Sequence, residues 1–317
     1  MKQHHYKYHV SLGTTRKAAT RYMLTPFMES IIKQLRESNR LRTAEIYTAT
    51  LNCFTRFRQG IDISFNQIDT EEIQKFEDYL RHRNLTRNTT SFYMRVLRAV
   101  YNRAVANDLV CNTFPFRNVY TGIDKTIKRA IPLSAIKRIK ALDLSSQPTL
   151  RFSRDIFLFS FYTRGMSFVD IAFLQKNNLR NGTLTYYRRK TQKSLSICWE
   201  PCMQEIVTNY SLAQSPYLFP IIHSQTKEVR RQYSNALYAI NRHLKIIGKM
   251  ANLSQPLTMY VARHSWASAA KEKNIPIAVI SEAMGHVSET TTQIYLASLN
   301  LSKINEANYI IINSLND

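Results

Sequence analysis

Residues 257–267 read Leu-Thr-Met-Tyr-Val-Ala-Arg-His-Ser-Trp-Ala, and residues 284–295 read Met-Gly-His-Val-Ser-Glu-Thr-Thr-Thr-Gln-Ile-Tyr. Wound as a helix, the first stretch places Tyr260, Arg263, His264 and Ala267 at i, i+3, i+4 and i+7, so they share a face. Tyr, Arg and His together make a poor core and a plausible phosphate site. In the second stretch Gly285 suits a helix C-terminus, where left-handed backbone is needed. His286 then falls in a turn, and Tyr295 projects from the following helix.

Outward from these two stretches the pattern stays helical. Apolar periodicity predicts helices near 134–142, 151–162, 200–212, 228–248, 259–273, 276–284 and 289–298, with an amphipathic segment at 301–314. The exception is a predicted hairpin, in which Thr183-Leu-Thr-Tyr-Tyr-Arg-Arg189 and Ser194-Leu-Ser-Ile-Cys alternate in strand fashion around Lys190-Thr-Gln-Lys193. Upstream, residues 111–130 mix Pro, Gly and Asn with basic residues and lack a period, which reads as a linker. Before the linker, Phe27, Ile31, Ile32 and Leu35 mark one helical stripe, and Ile46, Thr50, Cys53, Phe54 and Phe57 a second. Asp69 with Glu72 has the form of a capping box opening a third helix, with Ile73, Phe76 and Leu80 inward. Thr89, Phe92, Val96, Ala99 and Arg103 mark one side of a fourth, from about Asn88 to Ala106. The expected architecture is mainly α. It comprises a basic arm (1–24), a small four-helix domain (25–110), the linker, and an α-rich domain with a small antiparallel sheet (131–317).

The chain has 317 residues with 44 Lys and Arg against 22 Asp and Glu, a net charge of +22. Such a surplus opposes compaction by self-repulsion, and a polyanionic partner is the economical explanation. The surplus is spread over both halves, as in a clamp on phosphates. Arg87, Arg95 and Arg98 of the fourth helix are candidates to face a duplex. Of four cysteines only Cys198 and Cys202 are close, with no second pair or histidine to complete a zinc set. The N-terminus has no apolar signal core, and no run of about 18 apolar residues occurs, so the expected setting is cytoplasmic, at the nucleoid.

The ordered triplets resemble the signature of the tyrosine recombinase (phage integrase) family: His-x-x-Arg-His, then Leu-Gly-His, then eight residues and a nucleophilic tyrosine. Here they stand as Tyr260-Val-Ala-Arg263-His264, Met284-Gly285-His286 and Tyr295. The resemblance covers nearly the whole chain and implies a core-binding domain followed by a catalytic domain. It gives Lys190, in the hairpin turn, the place of the family's catalytic lysine, with Lys193 as rival. Two positions depart from the pattern. Ser167 stands where the family's first arginine belongs, three residues before Asp170, and with it forms a capping-box sequence. Arg164, beside the flexible Gly165, is the expected stand-in. Tyr260 replaces a histidine, and a phenol positions a phosphate without titrating near neutrality.

The implied reaction is attack by the Tyr295 hydroxyl on a DNA phosphodiester, giving a 3′-phosphotyrosine link and a free 5′-hydroxyl without metal or ATP. Arg263 and Arg164 would neutralise the equatorial phosphoryl oxygens. His286 or His264 would orient the phenol or accept its proton, and Lys190 would protonate the leaving oxygen. Alone, Tyr295 would be one more packing tyrosine, and His264 fits equally a hydrogen bond inside its domain. Partners implied are double-stranded recombination sites, a tetramer on paired sites and a DNA-bending accessory protein. The final segment, with Ile304, Ile310, Ile311 and Leu315, would reach into a neighbouring protomer. Two other readings stand beside site-specific recombination: a type IB topoisomerase-like activity, and a site-binding relative impaired in cleavage.

Overall fold

A computed structural model of the chain describes residues 22–124, 129–223, 228–296 and 308–309, without the side chains of residues 294 and 295. Residues 1–21 of the expected arm, and the final segment apart from residues 308–309, lie outside it. The chain divides into two compact units, residues 1–126 and 127–317.

The first unit holds α1 (Leu24–Glu37), α2 (Leu41–Phe57), α3 (Thr70–His82) and α4 (Arg87–Ala106). The apolar stripes of α1 to α3 meet in its core around Met28, Phe54, Phe65, Phe76 and Leu80. Asp69 Oδ1 accepts the Glu72 amide at 2.8 Å, while the Glu72 carboxylate turns to Arg58 at 2.8 Å, so only half of the capping box forms. On α4 the buried face is Thr90, Met94, Leu97, Tyr101 and Ala104. On the marked side Ala99 and Arg103 are exposed, because the apolar Val100 and Ala104 one position away take the interior.

The expectation of a linker over 111–130 is corrected for residues 111–124, which pack on α4. Phe116 and Val119 are buried in the first core, and the Tyr101 hydroxyl donates to the Cys111 carbonyl at 3.2 Å. Asn88 brackets Asp124 through both its backbone groups. Arg87 lies over the Tyr120 ring at 3.7 Å and pairs with Asp124, and Arg98 donates to Thr121 at 2.8 Å. Two of the three arginines expected to face DNA thus fasten this segment, and Arg95 Nε reaches only its own helix, at the Ser91 carbonyl. Residues 22–24 also belong to this unit, Met23 forming a bridge with Ser64.

The second unit is built on α6 (Pro148–Tyr162), whose Ile156, Phe157 and Phe159 are fully buried. Around it lie α5 (Leu133–Ala141), α7 (Phe168–Ala172), α8 (Pro201–Tyr210), α9 (Val229–Met250) and α10 (Met259–Glu272), with α9 and α10 packed directly on α6. The antiparallel sheet runs β1 (Leu179–Arg180), β2 (Thr183–Tyr187), β3 (Ser194–Cys198), with Tyr187 opposite Ser194. Strand alternation puts Leu184, Tyr186, Leu195 and Ile197 inside. A small cluster of Ala267, Ile280, Met284 and Leu296 fastens α10 to α11 (Ile277–Ala283) and α12 (Glu289–Tyr295). Among the described residues no helix is long and apolar enough to cross a membrane.

Candidate active site

The site is assembled where the end of α6, the β2–β3 hairpin and the α11–α12 turn converge on α10. After α6 the chain turns through Arg164 and Gly165, both left-handed at φ +59° and +73°, and the Gly165 amide closes on the Ser160 carbonyl at 2.8 Å. A Cβ on Gly165 would lie 2.7 Å from the Arg263 Cα, so α10 crosses here at a separation only glycine permits. The Gly165 carbonyl accepts from Arg263 Nη1 at 2.8 Å. Gly165→Ala is expected to cost about 2–4 kcal/mol, combining left-handed strain with backbone overlap. Thermal unfolding checks this, and an unchanged midpoint would rule out the close crossing.

Arg263 is 5% exposed and its other terminal nitrogen binds the turn beyond α11. Nη2 donates to the Met284 carbonyl at 2.7 Å and lies 2.9 Å from His286 Nε2. That turn is a Schellman motif: Gly285 (φ +63°) bonds Glu282, and the His286 amide bonds Ser281 at 3.0 Å. A guanidinium has no acceptor, so His286 Nε2 accepts and the ring proton sits on Nδ1, which donates to Thr292 Oγ1 at 2.7 Å. Thr292 is fully buried on α12, one turn before Tyr295. The Tyr295 side chain itself is outside the described residues.

Burial, then the nearby Arg263, Arg188 and Lys190, push the His286 pKa from 6.5 down to about 4, so the imidazole is neutral at pH 7. An unfolded imidazole takes a proton near pH 6.5 that the folded one refuses until about pH 4. The stability contributed by neutral His286 is therefore complete above pH 6.5 and lost as pH falls toward 4. By pH 5 the loss should reach about 2 kcal/mol, and His286→Gln should lack that component. Equal pH slopes for the two proteins in thermal unfolding between pH 7 and 5 would contradict the neutral, buried state.

The hairpin turn is held at both ends. The Arg188 amide bonds the Lys193 carbonyl at 2.9 Å, and Asp170 Oδ1 accepts the Arg189 amide at 2.9 Å. The second Asp170 oxygen accepts the Ser167 hydroxyl at 2.5 Å. Ser167 does occupy the N-cap of α7, but its hydroxyl serves the carboxylate instead of a backbone amide. Lys190 is exposed at the turn, while Lys193 is tied to Glu282 at 2.6 Å.

Of the residues singled out by sequence, Arg263, His286 and the Lys190 turn come together. His264 is buried beside them, and Tyr260, 52% exposed, sets its ring edge-on against His264 at 4.4 Å. Arg164 is engaged on β3. Its Nη1 donates to the Ser196 carbonyl at 3.2 Å, along a groove that also involves Ala278, Val279 and Glu282. Two participants were missed. Thr292 carried no signal to distinguish it from Thr290 and Thr291. Arg188, 7% exposed, donates Nη1 to the Gly285 carbonyl at 2.7 Å; one arginine in a basic hairpin has no sequence mark of burial.

Known proteins match both units. Residues 23–119 match the phage integrase SAM-like domain, and residues 141–301 the phage integrase family. Tyrosine recombinase XerC of Rickettsia canadensis is 24% identical over 245 residues, spanning 74% of this chain and 77% of that protein. Tyrosine recombinase XerA of Pyrococcus furiosus is 28% identical over 181 residues, 55% of this chain and 58% of its own. In fold, the chain resembles lambda integrase, solved as a tetramer on a Holliday junction, with TM-score 0.66 and 16% identity over 87% of this chain and 78% of that one. XerH recombinase, solved after cleavage of a palindromic difH substrate, gives TM-score 0.65 and 17% identity over 89% and 83%. The chain belongs to the phage integrase family, the site-specific tyrosine recombinases, which cut and rejoin DNA strands by transesterification.

Proposed function

We propose that this chain breaks and rejoins DNA at defined sites through Tyr295. The phenol gives up its proton to solvent as its oxygen bonds to the scissile phosphorus, the bond to the 5′-oxygen breaks, and a 3′-phosphotyrosine is left opposite a 5′-hydroxyl. The observation that carries this is the buried chain Arg263–His286–Thr292, which ties the phosphate-binding guanidinium to the helix bearing Tyr295. Arg263 balances charge on the phosphoryl oxygens. His286, neutral and held by Arg263 and Thr292, is a hydrogen-bonding group in the free protein. Lys190, exposed on its hairpin, delivers the proton that the 5′-oxygen takes up. Strand exchange is expected within a tetramer on two paired duplexes, acting on nucleoid DNA in the cytoplasm, with a DNA-bending accessory protein where the sites require one.

The test is covalent trapping. A nicked suicide duplex, built on the sequence that the chain selects from a random duplex library, should leave a covalent adduct. Proteolysis should map it to the peptide carrying Tyr295. No adduct, or one mapped to another tyrosine, would defeat the assignment, and relaxation of any supercoiled DNA without defined sites would favour topoisomerase-like activity.

A further inference from the structure

The second unit buries a cation that the reaction above does not use. Arg188 follows β2, and its stem passes Gly285 so closely that a Cβ there would lie 3.3 Å from its Cδ and 2.9 Å from Leu195. The residue is 7% exposed, and its Nε is buried without a hydrogen-bond partner among the described residues. A buried charge lacking a counter-ion is costly, and an incoming anion would relieve that cost. Arg188 and Arg263 bind successive carbonyls of one turn, Gly285 and Met284, each at 2.7 Å. Both also act on the His286 ring that follows. Two guanidinium groups are thereby brought to the same three residues from different elements.

We propose that Arg188 supplies the second guanidinium to the scissile phosphate, the role left vacant at Ser167. Ser167 has other work: its hydroxyl holds Asp170, and Asp170 holds the Arg189 amide, fixing the base of the hairpin that presents Arg188. Arg164, the nearer candidate in sequence, is engaged with the Ser196 carbonyl. Arg188 and Lys190 then act from one hairpin, one on the phosphoryl oxygens and the other on the leaving group. The proposal rests on Tyr295 as the nucleophile.

The experiment compares adduct formation by the full chain on the nicked duplex with a phosphate, or a methylphosphonate, at the cleavage position. A methylphosphonate lacks the charge that an arginine would balance. On phosphate, Arg188→Ala should lose on the order of 10²–10³ in cleavage rate while still binding the duplex. On methylphosphonate that loss should largely vanish. Arg188→Lys should fall between, since an ammonium keeps charge but not the planar fork. An Arg188 that only braced Gly285 would give equal losses on both substrates, and that result overturns the proposal. So does a loss confined to Arg164→Ala with Arg188→Ala unimpaired. If Arg188→Ala fails to fold, the same substrate comparison on Arg188→Lys decides. Absence of any adduct from the unaltered chain removes the Tyr295 assignment along with this one, whereas a normal adduct that Arg188 variants leave unchanged removes this one alone.

Discussion

Tyr295→Phe is expected to bind the selected duplex as the unaltered chain does and to form no covalent adduct, a loss on the order of 10⁶-fold for a missing nucleophile. The substitution keeps the ring and removes one oxygen. Thr292, which fastens α12 to His286, is untouched, so the helix should keep its place. Gel-shift affinity and adduct yield, measured together, separate binding from chemistry. Retained adduct would mean that another of the 18 tyrosines attacks.

Arg263→Ala should be the most damaging change to protein and reaction together. One guanidinium satisfies the Gly165 carbonyl, the Met284 carbonyl and His286 Nε2 at 2.8, 2.7 and 2.9 Å. Hydrogen bonds to a charged group contribute about 1.5–3 kcal/mol each, offset by the cost of burying the charge, so a net loss of about 2–4 kcal/mol is expected. For a domain of this size that lowers the unfolding midpoint by roughly 5–15 °C. Cleavage should fall by a further factor of about 10²–10³. Arg263→Lys should recover part of the stability but little of the rate, because one ammonium cannot span three acceptors set in different directions. A variant as stable as the unaltered chain would show that the three contacts contribute nothing.

Where the sequence was readable, the signal was periodic or punctuated. The stripe of Ile73, Phe76 and Leu80, the alternation of Leu184 and Tyr186, and the glycine ending α11 each reflect a local rule of backbone geometry. The triplets around Arg263 and His286 were legible because their order and spacing are specific. The misreadings came from tertiary competition. On α4 two apolar sides were available, and packing chose the one with Met94, Leu97 and Tyr101. Residues 111–124 have no period, yet Phe116 and Val119 find the core without a helix. Arg164 was favoured for its neighbourhood in sequence, whereas the buried guanidinium near His286 arrives from a hairpin 97 residues before Gly285.

That last separation bears on how the protein is made. Arg263 reaches back 98 residues to Gly165, and Arg188 reaches forward 97 to Gly285. Contacts this far apart in the chain form late, after the intervening segments have collapsed. A growing polypeptide that has emerged only as far as α9 holds neither clasp, and its basic surface can meet nucleic acid before any strand can be cut. Binding competence thus precedes cutting competence during synthesis, and the nascent chain is harmless to the genome until its final turns are in place.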